Sequence, residues 1–257
     1  MIRFYFLWLI ALSVSLSSLA SAQELVVQGD LWCPYTCEPG SAEPGYVIDI
    51  MQAVFEHGGV KFKYETVPWN RTLLQTRDGK ASIAVVATQQ EAEQYGLLIG
   101  SNPVGNPSDC LYVAASNKLK YTRADDLGAL KALGFSAGYT YSDDVEAWLK
   151  RPENQSKIQM QTGDNPAERN AKNLAMGRLD GAMEDEQVMQ HIVAKLGLQH
   201  KLVLAGCGKQ TPVFVAFSPK LKNAQQLIKA FDDGLAELRQ NKRLAKILAK
   251  YGVSDWK

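Results

Sequence analysis

Ser82-Ile83-Ala84-Val85-Val86-Ala87 is the stretch on which the fold turns. After its opening serine it is wholly apolar and short. That is the signature of a strand buried on both faces, as in a parallel sheet covered by helices. The segments before it fit that setting. Residues 25–28 read as a first strand, rich in valine and stopped by Gly29-Asp30. Residues 47–57 carry Val47, Ile48, Ile50, Met51, Val54 and Phe55 along one helical stripe, ended by Gly58-Gly59. Residues 60–67 form a strand in which Phe62 and Tyr64 alternate with polar positions, and Pro68-Trp69-Asn70-Arg71 opens a helix through Gln75. A β-α-β-α-β order of this kind predicts α/β layers.

The same logic continues downstream. Strands are expected at 110–115, 134–138, 158–161 and 180–183, with helices at 125–130, 142–149, 165–176 and 187–196. The helix at 165 is well signalled: Asn165 caps it, Pro166 fills the first turn and Glu168 sits near the positive end. A last strand, 212–217, precedes two helices at 224–239 and 242–251, whose apolar stripes (Leu227, Ile228, Phe231, Leu235, Leu238; Leu244, Ile247, Leu248, Tyr251) are core faces. The pattern gives two α/β lobes without saying which segments share one.

Composition narrows the function. The chain has 257 residues, 46% hydrophobic and 21% charged, which excludes a mostly disordered chain. Met1 to Ala22 reads as a secretory leader: Arg3, an apolar run from Phe4 to Leu12, then Ala20-Ser21-Ala22 as the cleavage pattern. The run is shorter than a membrane span needs. Cleavage would leave about 235 residues and an equal 27 basic and 27 acidic side chains. That balance gives no support to a nucleic-acid partner. Three histidines argue against a His-rich metal centre, and no cofactor is implied. The expected product is an exported, soluble protein of the periplasm, without stable membrane insertion.

Export decides how Cys33, Cys37, Cys110 and Cys207 are read. Four cysteines in an oxidising compartment allow three disulfide pairings. Cys33–Cys37 with Cys110–Cys207 is favoured, the first bridge closing a tight loop over Pro34-Tyr35-Thr36. The rivals are a redox-active dithiol, whose usual spacing has two intervening residues, and a four-thiolate zinc site, for which the spacings are poor.

Several stretches, taken in order, carry a resemblance. They are Gly45-Tyr46-Val47-Ile48-Asp49-Ile50; Pro68-Trp69-Asn70-Arg71 followed by Gly79-Lys80; Leu174-Ala175-Met176-Gly177-Arg178-Leu179-Asp180-Gly181-Ala182 running into Glu184-Asp185; and Phe214-Val215-Ala216-Phe217-Ser218-Pro219 ahead of a helical end closing on Lys250-Tyr251-Gly252. With the leader and the length, the chain resembles the family 3 extracellular solute-binding proteins of polar amino-acid uptake. The resemblance implies a type II periplasmic binding fold: two lobes, each a mixed sheet flanked by helices, with a cleft between them. It implies a first lobe of residues 23–110 plus 212–257, a second of 111–211, and hinge crossings near 111–115 and 207–213. Cys110 and Cys207 would then sit beside neighbouring crossings, where a bridge is sensible. A monomer working with an ABC permease or a membrane receptor is expected.

Ligand-binding candidates follow. Trp32 and Tyr35, in the loop after the first strand, offer rigid aromatic walls suited to a flat or cationic ligand. Tyr46 and Trp69 extend that wall. Arg71 offers a guanidinium for a bidentate carboxylate grip. Thr88 matches the start of the family's threonine-x-x-arginine segment, but the arginine position holds Glu91. Either Arg71 replaces that charge or the ligand is not a plain amino acid. In the second lobe Tyr139 and Thr140 form a strand-to-helix turn suited to an anion at the helix start, and Asp185 matches the family's acid that meets an amino group. Asp109 flanks the hinge.

No catalytic constellation is visible: there is no G-x-S-x-G elbow and no H-E-x-x-H pair. A binding protein that captures a small polar, carboxylate- or amine-bearing solute is therefore expected, not an enzyme. A ligand sensor docking on a membrane receptor and a cyclohexadienyl dehydratase-like activity are the alternatives.

Overall fold

A computed structural model describes residues 24–257, and the expected leader lies outside the described residues. The opening segments fold in the expected order: β1 (Leu25–Gly29), α1 (Tyr46–His57), β2 (Phe62–Thr66), α2 (Trp69–Arg77) and β3 (Ile83–Thr88). Then come α3 (Gln89–Tyr95) and the two-residue β4 (Leu98–Ile99). The second sheet's elements are β5 (Ser108–Ala114), β6 (Leu133–Ser136), α4 (Asp143–Leu149), β7 (Ile158–Gln161), α5 (Pro166–Ala175), β8 (Gly181–Glu184), α6 (Glu186–Leu196) and β9 (Leu202–Gln210). The chain closes with β10 (Val213–Phe217), α7 (Ala224–Gln240) and α8 (Arg243–Lys250).

Two five-stranded mixed sheets result, ordered β2-β1-β3-β10-β4 and β7-β6-β8-β5-β9. In the first, β1 runs parallel to β2 and β3, and β10 returns antiparallel between β3 and β4. In the second, β6 runs parallel to β7 and β8, while β5 is antiparallel to β8 and β9.

The apolar run of β3 is explained by helices on both faces. Ile83 and Val85 pack into the core that α1 and α7 cover; Ala84 and Ala87 pack with Trp69, Leu73 and Ala92 of α2 and α3. Val86 interrupts the alternation. It faces the same side as Val85, because its φ of 70° turns the backbone into the left-handed region. The partner strand answers with a register shift between Phe214 and Ala216. A β-branched residue is held there only under constraint from its surroundings.

The chain passes between the sheets at 100–107 and at Thr211-Pro212, and the two passages are neighbours. Thr211 N donates to Pro107 O at 2.8 Å, and Val213 N donates to Gly105 O at 3.0 Å. Residues 111–114, expected at a crossing, lie inside β5, which already pairs with β9 from Ser108. Cys110 and Cys207 face each other in that ladder and are bonded, as are Cys33 and Cys37.

Four elements are absent from the sequence reading, the short 3-10 helix Pro152–Lys157 among them. Strand β9 escapes because Gly206 and Gly208 break its alternation and much of it is exposed, as suits an edge. Strand β4 is only two residues long. Helix α3 is hidden because Thr88 to Glu91 resembles a ligand-binding segment. In fact it is a capping box: Thr88 Oγ1 accepts from Glu91 N at 3.1 Å, and Glu91 Oε2 accepts from Thr88 N at 2.8 Å.

Candidate functional site: a cleft between the two sheets

The loop after β1 is built around Trp32. The Cys33–Cys37 bridge and the bonds Trp32 N to Thr36 O (2.8 Å) and Tyr35 N to Trp32 O (3.0 Å) fold it into a tight knot. Trp32 stacks on Tyr35 with ring centroids 4.3 Å apart, and Tyr35 rests on Tyr46 at 5.0 Å. Gly45 lets the knot sit on α1. Its φ is 108°, and a Cβ there would lie 2.4 Å from Tyr35 O.

Beside this loop a cleft of about 890 Å³ opens between the two sheets. Of the residues expected at a ligand site, Trp32, Trp69, Thr88, Asp109, Tyr139, Thr140 and Asp185 line it. Tyr35 and Tyr46 do not. Both are 1% exposed and serve as the floor under Trp32. Arg71 is not brought to the cleft either. Trp69, Thr72, Leu73 and Thr76 are the buried face of α2, and Arg71 is exposed. Two positions beyond Trp69, it points about 200° around the helix from it.

The expected anion site at the start of α4 is not open either. Ser142 N and Ser142 Oγ both donate to Asp109 Oδ2, at 2.7 and 2.6 Å, so a carboxylate of the chain already occupies that corner. Asp143 and Asp144 open the helix itself.

Two hydrogen bonds span the cleft. Trp32 Nε1 donates to Glu184 Oε1 at 2.8 Å, and Tyr139 Oη donates to Asp30 Oδ2 at 2.5 Å. Nearby, Gly138, with φ 86°, lies so close to Asn70 that a Cβ would meet its side chain at 2.5 Å. Glu91 is buried and accepts from Trp69 Nε1 at 2.8 Å as well as from Thr88. Asp185 caps α6 by accepting from Gln187 N and Val188 N, and its second oxygen accepts from Ser108 N at 3.1 Å.

Burial governs the ionisation of these acids. It pushes Glu184 up to about 8, against the opposing bond from Trp32. It lifts Asp30 to about 6 against the Tyr139 bond, and Asp185 to about 6 against the amides that cap onto it. Glu91 and Asp109 are raised for the same reason.

Asp30 and Glu184 line the cleft, and the sequence reading did not put them forward as ligand-binding residues. The signal for them was positional. Asp30 follows β1 and Glu184 ends β8, and open α/β sheets place ligands at the carboxyl ends of such strands.

Two mixed sheets with a double crossing and a cleft between them define a clamshell of the type II periplasmic binding class. The profile of the bacterial extracellular solute-binding proteins, family 3, matches residues 26–254, and the chain belongs to that family. Solved structures share the fold at low identity. A structure from work on glutathione import via GshT and the cystine ABC importer TcyBC of Streptococcus mutans superposes with a TM-score of 0.73 at 18% identity, covering 90% of this chain and 95% of that one. A histidine kinase sensor domain gives 0.72 at 17%, covering 89% and 96%. An ancestral arginine-binding protein bound to arginine gives 0.71 at 19%, covering 89% and 97%. No curated protein matches the chain significantly. Among the described residues, no helix is long and apolar enough to cross a membrane.

Proposed function

We propose that the protein is an exported, non-catalytic solute-binding protein of the periplasm. Its two lobes, residues 24–99 with 213–257 and residues 108–210, close on a small polar solute, which it delivers to an ABC permease. The observation that carries this reading is the pair of bonds Trp32–Glu184 and Tyr139–Asp30, which tie opposite walls together at a cleft of about 890 Å³. That volume suits a metabolite-sized ligand. A solute that bridges both walls favours the closed state, so binding and closure are one equilibrium.

A thermal-shift screen of the refolded mature protein tests it, with amino acids, di-acids, amines, sugars and aromatic acids as probes. A ligand that binds only the folded state raises Tm. A shift with one class, accompanied by compaction in small-angle scattering, is the expected result. No shift with any class counts against solute binding.

The histidine kinase sensor domain among the similar structures favours a second reading, in which the liganded clamshell reports to a membrane receptor. Crosslinking in intact cells separates the two: a permease partner supports uptake, and a receptor partner supports sensing.

A further inference from the structure

Seven carboxylates line the cleft, those of Asp30, Glu91, Asp109, Asp143, Asp144, Glu184 and Asp185, against one ammonium, Lys209. None of the seven belongs to an ion pair among the described residues. Elsewhere acids of this chain do take cations: Asp49 pairs with Lys250, Glu168 with Lys172 and Lys195, and Asp255 with Arg239. Inside the cleft the acids are held by neutral donors alone, from indole, phenol, hydroxyl and backbone groups.

An independent observation points from this excess to a ligand. Glu184 is 3% exposed. Its Oε1 accepts from Trp32 Nε1 and from Asp185 N, while its Oε2 has no hydrogen-bond partner, in a side chain that lines the cleft. A buried carboxylate oxygen left open is costly unless something fills it.

The aromatic groups around it suit a cation. Trp32 and Tyr139 meet edge to face, with centroids 6.3 Å apart, and Trp69 lines the same space. Both indoles donate their N–H to carboxylates, Trp32 to Glu184 and Trp69 to Glu91. That leaves ring faces, which attract cations, as their remaining polar feature. A ligand carboxylate finds poor terms here. Glu91 stands at the third place after Thr88, and Asp109 fills the corner at the start of α4.

We infer that the solute is an organic cation without a carboxylate, an alkyl diamine or a guanidinium compound, whose charged head is received by Glu184 Oε2 beside Asp30 and the rings of Trp32 and Tyr139. This rests on the solute-binding reading above and names the ligand class for that same cleft. Burial holds a proton on Glu184 in the unliganded protein, so the cation binds with release of that proton; the head group then supplies the donor that Glu184 Oε2 lacks, and its charge offsets the neighbouring acids. The body of the ligand extends along the cleft toward Asp109 and Asp144, where a second cationic end is also matched.

Matched pairs of probes that differ by one carboxylate test the inference: agmatine against arginine, putrescine against ornithine and cadaverine against lysine, with succinate as an anionic control. Titration calorimetry on the refolded mature protein should show at least one amine binding about tenfold or more tighter than its amino acid. Glu184→Gln should weaken that amine about tenfold, as should Asp30→Asn, with each variant's melting transition still cooperative. Tighter binding of the amino acid, binding of succinate, or unchanged amine affinity in both variants would overturn the inference. If a sugar or aromatic acid binds and no amine does, the cation class falls while solute binding stands. If no probe of any class binds, both fall.

Discussion

Trp32 Nε1 and Glu184 Oε1 lie 2.8 Å apart, and their bond joins the loop after β1 to the end of β8. Its companion runs the other way, from Tyr139 after β6 to Asp30 after β1. Each wall of the cleft thus contributes one aromatic donor and one buried carboxylate acceptor. An opening of the cleft, as the proposed function requires, would break both bonds together and expose both acids to water, which would couple closure to the ionisation of Glu184 and Asp30.

Trp32→Phe removes the indole donor and keeps an aromatic ring over Tyr35. Glu184 Oε1 then retains only the Asp185 amide among its partners. At neutral pH, where burial keeps Glu184 protonated, the closed form should lose about 0.5–1.5 kcal/mol, the range for a hydrogen bond between neutral groups. Small-angle scattering of the unliganded variant should show a larger radius of gyration. An unchanged radius together with unchanged Tm would show that this bond does not hold the walls together.

Stability of the unliganded protein should fall as pH rises. Glu184 sits at about 8 and Asp30 and Asp185 at about 6, all raised by burial above their unfolded values. The folded state therefore holds protons that the unfolded state has released. The stability linked to them is fully present below about pH 4, is lost through pH 6 for the aspartates, and is lost up to about pH 8 for Glu184. Each such proton changes the free energy by at most about 1.4 kcal/mol per pH unit. Glu184→Gln should flatten the upper part of the curve, between pH 6 and 8. A wild-type Tm that rises or stays level over that interval would contradict the assignment.

The fold was legible where the sequence alternates or repeats a stripe. β3 and α7 were fixed by apolar residues whose burial is their main role. β9 was not legible, because its glycines serve close backbone approach; a Cβ on Gly206 would overlap Tyr121 O. At the site, the aromatic residues Trp32, Trp69 and Tyr139 were legible as large side chains in loops or at an element's start. The acids were harder. Asp30 and Glu184 act through burial and contact across the cleft, and neither property has a local sequence signal. Arg71 lies outside the cleft for the opposite reason. Its chemistry suits a ligand, but the phase of α2, set by Trp69, Thr72, Leu73 and Thr76, turns it outward.

Arg71→Ala should accordingly leave ligand affinity unchanged, whatever the ligand. Its side chain is exposed on α2 and makes no ion pair among the described residues. Stability should move by no more than about 0.5 kcal/mol, as for most surface substitutions. A large loss of affinity for any solute that binds the wild type would return Arg71 to the cleft and require a different closed arrangement of the lobes.

Gly138→Ala should disfavour closure through two separable effects. The residue has φ 86°, a conformation that costs an alanine roughly 1–2 kcal/mol. That strain acts in open and closed forms alike and lowers Tm. The second effect belongs to the closed form alone, since the new Cβ would meet the Asn70 side chain at 2.5 Å. Asn70 is exposed and sits at the start of α2, so Asn70→Ala removes the obstacle at little cost of its own. In a double-mutant cycle, Gly138→Ala alone should weaken ligand binding and lower Tm. Adding Asn70→Ala should restore most of the binding but not the Tm. If the second substitution restores neither, the approach of Gly138 to Asn70 is not part of the closed state. If it restores both, the backbone at 138 carries no strain, and the whole effect is the steric contact across the cleft.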